Sequence, residues 1–378
     1  MANTFDVIVV GLGGMGAAAS GELARRGLRV LGLDQLPPGH DQGSSHGHTR
    51  IIRTAYFEHP DYVPLVRRAF TAWQDLQQQH NTLLLHPCDL LSIAQPDSSL
   101  LLGVLASAQQ HQVPVESLSN AELRQRYPAF HFDEPYLGVI ERAAGVLLVD
   151  DCVRLLHQTA RTHGAQLHFS EPVLSWSASP QEVIVQTTRG EYRAASLVLT
   201  TGPWAARLLG PVAASLHLMR QVTFWFQHAA GPAFASEDFP IFIADIPEGH
   251  VYGLPALDAR GVKIARHYGA PLLDDPDEVK REVGEEDEAP VRTFVQRHLP
   301  AMAGPASQSA VCIYTLTPDH HFLIDHHPDH ANVAFAVGFS GHGFKFAPVV
   351  GEILADLIQH GQTTLPSSLF RWQRLTSS

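Results

Sequence analysis

Cysteine is scarce in this chain: Cys88, Cys152 and Cys312 are the only three among 378 residues. They are too few and too scattered for a disulfide framework, and no CxxC pair points to zinc or thiol redox chemistry. A reducing compartment follows, and the cytoplasm is the expected location. No run approaches the roughly 20 apolar residues of a membrane span. The apolar start, Phe5 to Val10, is far shorter than a signal-peptide core with its flanks. No Lys/Arg-rich stripe interrupts the formal net charge of -12, so nucleic acid gains no attraction. Internal repeats and low-complexity tracts are missing too. What remains is a chain 45% hydrophobic and 17% charged, long enough for two units with a sizeable core. The expected partner is a small molecule and the expected state a monomer.

The N-terminus carries the first positive signal. Phe5 to Val10 is a β-branched apolar run that ends in Gly-Leu-Gly-Gly-Met-Gly; Ala17 to Arg26 then has helical composition, and Gly27 is placed to stop it. In such a strand, turn and helix, Gly11 permits the tight turn and Gly13 lets the backbone approach a pyrophosphate. Gly16 allows the helix to pack closely on the strand, and the free N–H groups of the helix start face the anion. Arg29 to Leu33 supplies a second strand ending at Asp34, 23 residues after Gly11, where a carboxylate accepts hydrogen bonds from ribose hydroxyls. The pattern predicts a dinucleotide but does not separate FAD from NAD.

Beyond the turn, Ser119 and Glu122 spell a capping box for a short helix through Arg126, stopped at Pro128. Asp151 to His163 reads as a helix followed by Gly164 and a strand. Glu182 to Thr187 and Tyr192 to Thr201 read as strands about a turn, the second leading to Gly202-Pro203-Trp204. Residues 216–318 are richer in aromatics, and the acidic stretch Asp274 to Glu288 reads as a solvated surface segment. Asn332 to Ala336 is another apolar strand, and a helix is expected from Pro348 to Ile358. Between them lies Gly338-Phe339-Ser340-Gly341-His342-Gly343-Phe344-Lys345-Phe346, a second turn whose N–H groups suit an anionic edge. The expected fold is α/β (α+β with two domains): a Rossmann-like FAD-binding domain from 1–80, 143–215 and 319–378, and a mixed-sheet substrate domain from 81–142 and 216–318.

Four segments together resemble the monomeric sarcosine oxidase and N-methyl-amino-acid oxidase family. They are the glycine turn with Asp34, Ser45-His46-Gly47-His48-Thr49-Arg50-Ile51-Ile52-Arg53, Ala310-Val311-Cys312-Ile313-Tyr314-Thr315, and the Gly338–Phe346 run. The resemblance implies FAD, joined to the chain through the sulfur of Cys312. Cys312 and Tyr314 stand two apart on a strand and face one side, with Val311 and Ile313 on the other. Val173, Gly202, Gly341, Gly343 and Phe344 complete the cofactor-binding set that the resemblance implies.

The same resemblance assigns the substrate carboxylate to Arg53 and Lys345, a guanidinium and an ammonium suited to neutralising it in a water-poor pocket. Tyr252 and Tyr314 match aromatic positions near the substrate, and His46 and Arg50 match residues beside the flavin ring. If the segment is helical, Arg50 and Arg53 share a face, and two like charges there require an anion nearby. Lys263 matches the oxygen-activating lysine. On a strand Lys263, Ala265 and His267 project together, placing a cation and a proton-handling imidazole on one wall. A fixed cation roughly 4 Å from superoxide is worth on the order of 4 kcal/mol at an effective dielectric of about 20.

The implied reaction is hydride-equivalent transfer from a carbon on a secondary amine nitrogen, giving an imine that water hydrolyses. An N-methyl group leaves as formaldehyde, and oxygen is reduced to hydrogen peroxide. The chain departs from the family pattern at Ser45 and His48, where His and Asp are usual, and at Thr54, Phe57 and His59, which puts the side-chain pocket in question. His320, His321, His326, His327 and His330 match no common zinc spacing, so no metal is expected. The rival readings are a D-amino-acid or glycine oxidase acting on a primary amine, an NAD-dependent dehydrogenase, and a catalytically silent flavoprotein.

Overall fold

The computed structural model describes residues 4–227, 234–235, 238–302 and 304–375. Its first layer is an eight-stranded sheet. Thr4–Val10 lies at the centre, parallel to Val30–Leu33 on one side and to Gly190–Leu199 on the other. Gln166–His168 extends the parallel set beyond Val30–Leu33, and His330–Val337 extends it beyond Gly190–Leu199. Val7 to Val10, Leu197 to Leu199 and Val333 to Val337 are all buried. These near-continuous apolar runs are what a parallel sheet covered on both faces requires.

The helix Gly14–Arg25 shows why the N-terminal sequence is so rich in small residues. Its buried Ala17, Ala18 and Ala19 let the Ala347–His360 helix come so close that a Cβ on Gly351 would stand 2.8 Å from the Ala18 carbonyl carbon. The other flank meets Val149–Thr162, where a Cβ on Gly21 would stand 3.7 Å from Ala160 N.

The second layer is a nine-stranded mixed sheet. His217–Phe226, Val262–His267, Gly249–Leu254 and Ile241–Ile246 run antiparallel in that order, and Ala306–Leu316 pairs with the far edge of His217–Phe226. Alternation sorts the two faces. Phe242, Ala244 and Ile246 enter an aromatic cluster with Phe130, Phe239 and Phe294. Ile243, Tyr252, Lys263 and His267 instead line a cavity against the first layer.

A third, three-stranded sheet joins Thr49–Ile52, Gly145–Leu148 and Leu85–Pro87. Thr49–Ile52 is therefore a strand, and the condition under which Arg50 and Arg53 would share a helical face is not met. The β-branched Ile51 and Ile52 favour that outcome. The acidic stretch is largely exposed, as read, but several of its carboxylates have partners. Asp287 makes a bidentate pair with Arg220 and starts the Glu285–His298 helix, and Asp275 and Asp277 bind Arg207. The capping box at Ser119 and Glu122 is present as read.

Candidate functional site

The glycine turn is shaped as its sequence requires. Gly11 has φ +91°, and a Cβ there would lie 2.5 Å from Thr200 O. A Cβ on Gly16 would fall 1.7 Å from Gly11 O. Gly13 caps the helix with no side-chain bond, which leaves N–H groups at its start for an anion. Asp34 does more than face the cavity: its carboxylate accepts from Leu12 N at 2.7 Å and from Leu36 N at 2.9 Å, pinning the turn to the second strand. Ser45, one of the departures from the family pattern, accepts from Gly14 N at 3.0 Å.

One continuous cavity runs from Asp34 and Val173, past the turn and Gly202, to Lys263 and His267. Of the site residues expected from sequence, all line it except Gly16, whose part is to let the helix meet the turn. The lining fits a dinucleotide with an aromatic head. Thr201 Oγ1 and Thr315 Oγ1 are buried on it with no partner, so each has a hydrogen bond to give or take. Gly14 and Gly341 keep the walls open: a Cβ would reach 2.9 Å from the Phe344 ring at the first and 2.4 Å from the Tyr314 ring at the second.

At the end nearest Cys312, the sulfur lies 3.9 Å from Arg50 Nη2, and Ser44 Oγ donates to Ile313 O at 2.6 Å. Cys312 and Tyr314 share a face, with Val311 and Ile313 on the other. Cys88 and Cys152 are buried away from the cavity; burial pushes the Cys88 thiol up to about 11 and that of Cys152 further. His46 is buried with Nε2 3.1 Å from Gly43 O, and burial, helped by Arg50, lowers it to about 4, so its ring is neutral.

Lys263 and His267 stand on one face of their strand as expected. Lys263 Nζ donates to Gly47 O at 2.7 Å and Thr49 O at 3.1 Å. Burial, then Arg50, drives its pKa well below the usual lysine range. An anion arriving beside it would raise that pKa again. His267 Nδ1 lies 3.2 Å from Tyr314 OH, and burial keeps the imidazole neutral. His48 pairs with Asp258 at 3.2 Å and Arg260 at 2.5 Å.

Beside Arg53 and Lys345 stands a residue that sequence reasoning missed. Arg53 Nη2 donates to both carboxylate oxygens of Glu58, at 2.7 and 2.6 Å, and the guanidinium lies 4.1 Å from the Tyr56 ring centroid and 4.5 Å from that of Phe57. Burial would raise Glu58, but Arg53 and His342 overcome it and hold the carboxyl down to about 2. Lys345 Nζ donates to His342 O at 2.6 Å and Tyr56 OH at 3.2 Å; burial, then Arg53, lowers it to about 7. The chain itself thus supplies an anion to Arg53. The signal was present: Glu58 follows Arg53 by five residues, between Phe57 and His59.

Lysine rarity was a second unused signal. The chain has only three, Lys263, Lys280 and Lys345, and two line this cavity. The histidines at 320–330 do not converge. His321 meets Tyr62 OH at 3.1 Å, His326 lies 3.3 Å from Gly361 O, and His327 and His330 pack on Trp176. Among the described residues no group of three or more His, Cys, Asp or Glu is placed to hold a metal ion.

Residues 6–357 match the family model described as FAD dependent oxidoreductase. Curated relatives align from end to end. The monomeric sarcosine oxidase of Streptomyces avermitilis is 39% identical over 100% of both chains. The N-methyl-L-tryptophan oxidase of Citrobacter koseri is 35% identical over 98% of this chain and 99% of its own. Among solved structures, the Tyr258Phe mutant of NikD, an unusual amino acid oxidase, superposes with a TM-score of 0.87 at 24% identity, covering 98% of this chain and 97% of its own. Glycine oxidase from Geobacillus kaustophilus gives 0.81 at 21%, covering 98% and 99%. The chain therefore belongs to the FAD dependent oxidoreductase family, among the relatives of the monomeric sarcosine and N-methyl-L-tryptophan oxidases.

Proposed function

We propose that this protein oxidises an N-methyl amino acid, with sarcosine the simplest candidate, to an imine that hydrolyses to the amino acid and formaldehyde. Bound FAD would take the hydride equivalent from the N-methyl carbon and return the electrons to O2, releasing hydrogen peroxide. The observation that carries the reading is one cavity joining the dinucleotide turn to a carboxylate clamp, Arg53 with Lys345, and to a second buried lysine, Lys263.

In this reading the first layer, with 1–80, 143–215 and 319–378, holds the cofactor, and 81–142 with 216–318 forms the substrate domain. Gly11, Gly13 and Asp34 seat the pyrophosphate and ribose, Val173 meets the adenosine half, and Gly202, Gly341, Gly343 and Phe344 frame the rest. Cys312 is the attachment point, with His46 and Arg50 beside the ring.

The substrate carboxylate displaces Glu58 from Arg53 and takes a second bond from Lys345 Nζ. Tyr252, Tyr314 and the neutral His267 border the amine, and a neutral imidazole leaves the amine free to bind deprotonated. Lys263 stabilises negative charge that develops as oxygen is reduced. Positioning and electrostatics carry more of the catalysis than any one acid or base. The three free thiols support a reducing compartment, and we place the protein in the cytoplasm as a monomer.

A peroxide-coupled screen tests the reading. Turnover with N-methyl amino acids and none with glycine or D-alanine is expected. Turnover confined to primary amines would make this a glycine-type oxidase, and none with any amine would leave a silent flavoprotein.

A further inference from the structure

The segment from Leu272 to Asp287 reaches across the seam between the two sheets. Leu272 and Leu273 pair with Met219 and Leu218, and Val279 and Val283 pack with Val311 and Ile313, on the face opposite Cys312. From there the segment touches Trp204 and Arg207, which line the cavity, and the backbone just ahead of the lining residues Gly43 and Cys312. Trp204 Nε1 donates to Asp277 at 2.7 Å, and Arg207 donates to Asp275 at 2.8 Å and Asp277 at 2.7 Å. Arg281 donates to Asp41 O and Val311 O, both at 3.0 Å, and to Gln42 O at 2.6 Å.

These carbonyls are not arbitrary. Asp41 and Gln42 lead into Gly43-Ser44-Ser45-His46, every one of which lines the cavity, and Val311 immediately precedes Cys312. The acid pairs to Arg207 are exposed and contribute little. Arg281 differs. A guanidinium is a planar fork with fixed N–H directions, so binding three carbonyls from two segments sets the distance between those segments. The bond from Ser44 Oγ to Ile313 O lies on the same seam and depends on that distance.

We propose that Arg281 is a positioning residue for the cofactor: it fastens the 41–46 loop to the Cys312 strand, and it must let go for the dinucleotide to enter or leave. The proposal rests on the flavin reading above. It gives the acidic stretch a role that its sequence did not suggest, as a clasp over the cofactor channel.

The test uses full-length Cys312→Ser protein, in which any FAD is held without a bond to the chain. FAD release is followed as a rise in flavin fluorescence after dilution. Arg281→Met should speed release at least about tenfold, equivalent to about 1.4 kcal/mol, with Arg281→Lys in between. Phe242→Ala, which damages the aromatic cluster on the far face of the sheet, controls for general loosening. It should lower the melting temperature and leave release within about twofold. Unchanged release in Arg281→Met, or equal acceleration in Phe242→Ala, overturns the proposal. Protein with Cys312 intact that carries no flavin and takes up none on refolding with FAD removes the flavin reading and this inference together, whereas flavin-loaded protein whose release ignores Arg281 removes this inference alone.

Discussion

If Arg53 and Lys345 hold the substrate carboxylate as proposed, the pair Arg53 and Glu58 makes that site a switch between an internal and an external anion. Lys345, lowered to about 7, adds a pH dependence whose sign is fixed. Below that value the ammonium is charged and attracts a carboxylate; above it the charge is lost. A competitive carboxylate with no amine, such as methoxyacetate, should therefore bind more weakly as pH rises through about 7, by up to tenfold per pH unit. Titration of the flavin spectrum measures this, and Lys345→Met should flatten the profile. Glu58→Gln should tighten binding at pH values below that break, because Arg53 is freed. It should also move the break lower, since Glu58 is one of the charges that raise Lys345. Lys263→Met should slow reoxidation by oxygen by about two to three orders of magnitude and leave reduction by substrate nearly unchanged, in stopped flow. Motif matches made a set of site candidates legible, and all but Gly16 of them line one cavity. Glu58 was not, because its role depends on a bend in the chain that brings it back onto Arg53, and no local periodicity encodes that.

Elements were legible where the pattern was strong. Thr4–Val10, the Gly14–Arg25 helix and the capped Asn120–Arg126 helix follow from an apolar run, small residues and a capping box. Thr49–Ile52 was open to a helical reading because the segment is too short for a period to show, and pairing with Gly145–Leu148 decides it. Two substitutions separate cofactor-shaping from core-forming elements. Gly16→Ala would drive a Cβ to 1.7 Å from Gly11 O and 2.5 Å from Thr200 Oγ1, so the turn must open. FAD content, read from the ratio of visible to ultraviolet absorbance, should fall severalfold in a protein that still folds. Phe242→Ala removes a fully buried ring stacked on Phe294 at 5.7 Å and should cost about 3–5 kcal/mol in urea unfolding. Its flavin spectrum should stay that of the parent, since Phe242 faces away from the cavity.

Taken as a whole molecule, the chain lines one cavity from both ends. The turn at Gly11 predicts only a dinucleotide, whereas the residues that carry the finer resemblance, Cys312 on a strand of the second sheet and Lys345 in a helical turn after the last strand of the first, stand far along the sequence. The seam between the sheets was invisible in the sequence, because the groups that close it, Arg281 with Asp41, Gln42 and Val311, bond through backbone carbonyls that no side-chain pattern marks. If Cys312 carries the flavin, acid-precipitated protein should stay yellow, and Cys312→Ser pellets should be colourless. The chemistry itself is decided by one anaerobic experiment with an N-methyl amino acid. Loss of the flavin absorbance with one formaldehyde formed per flavin is the result predicted. Loss of absorbance with ammonia in place of formaldehyde, or no loss at all, would contradict the account.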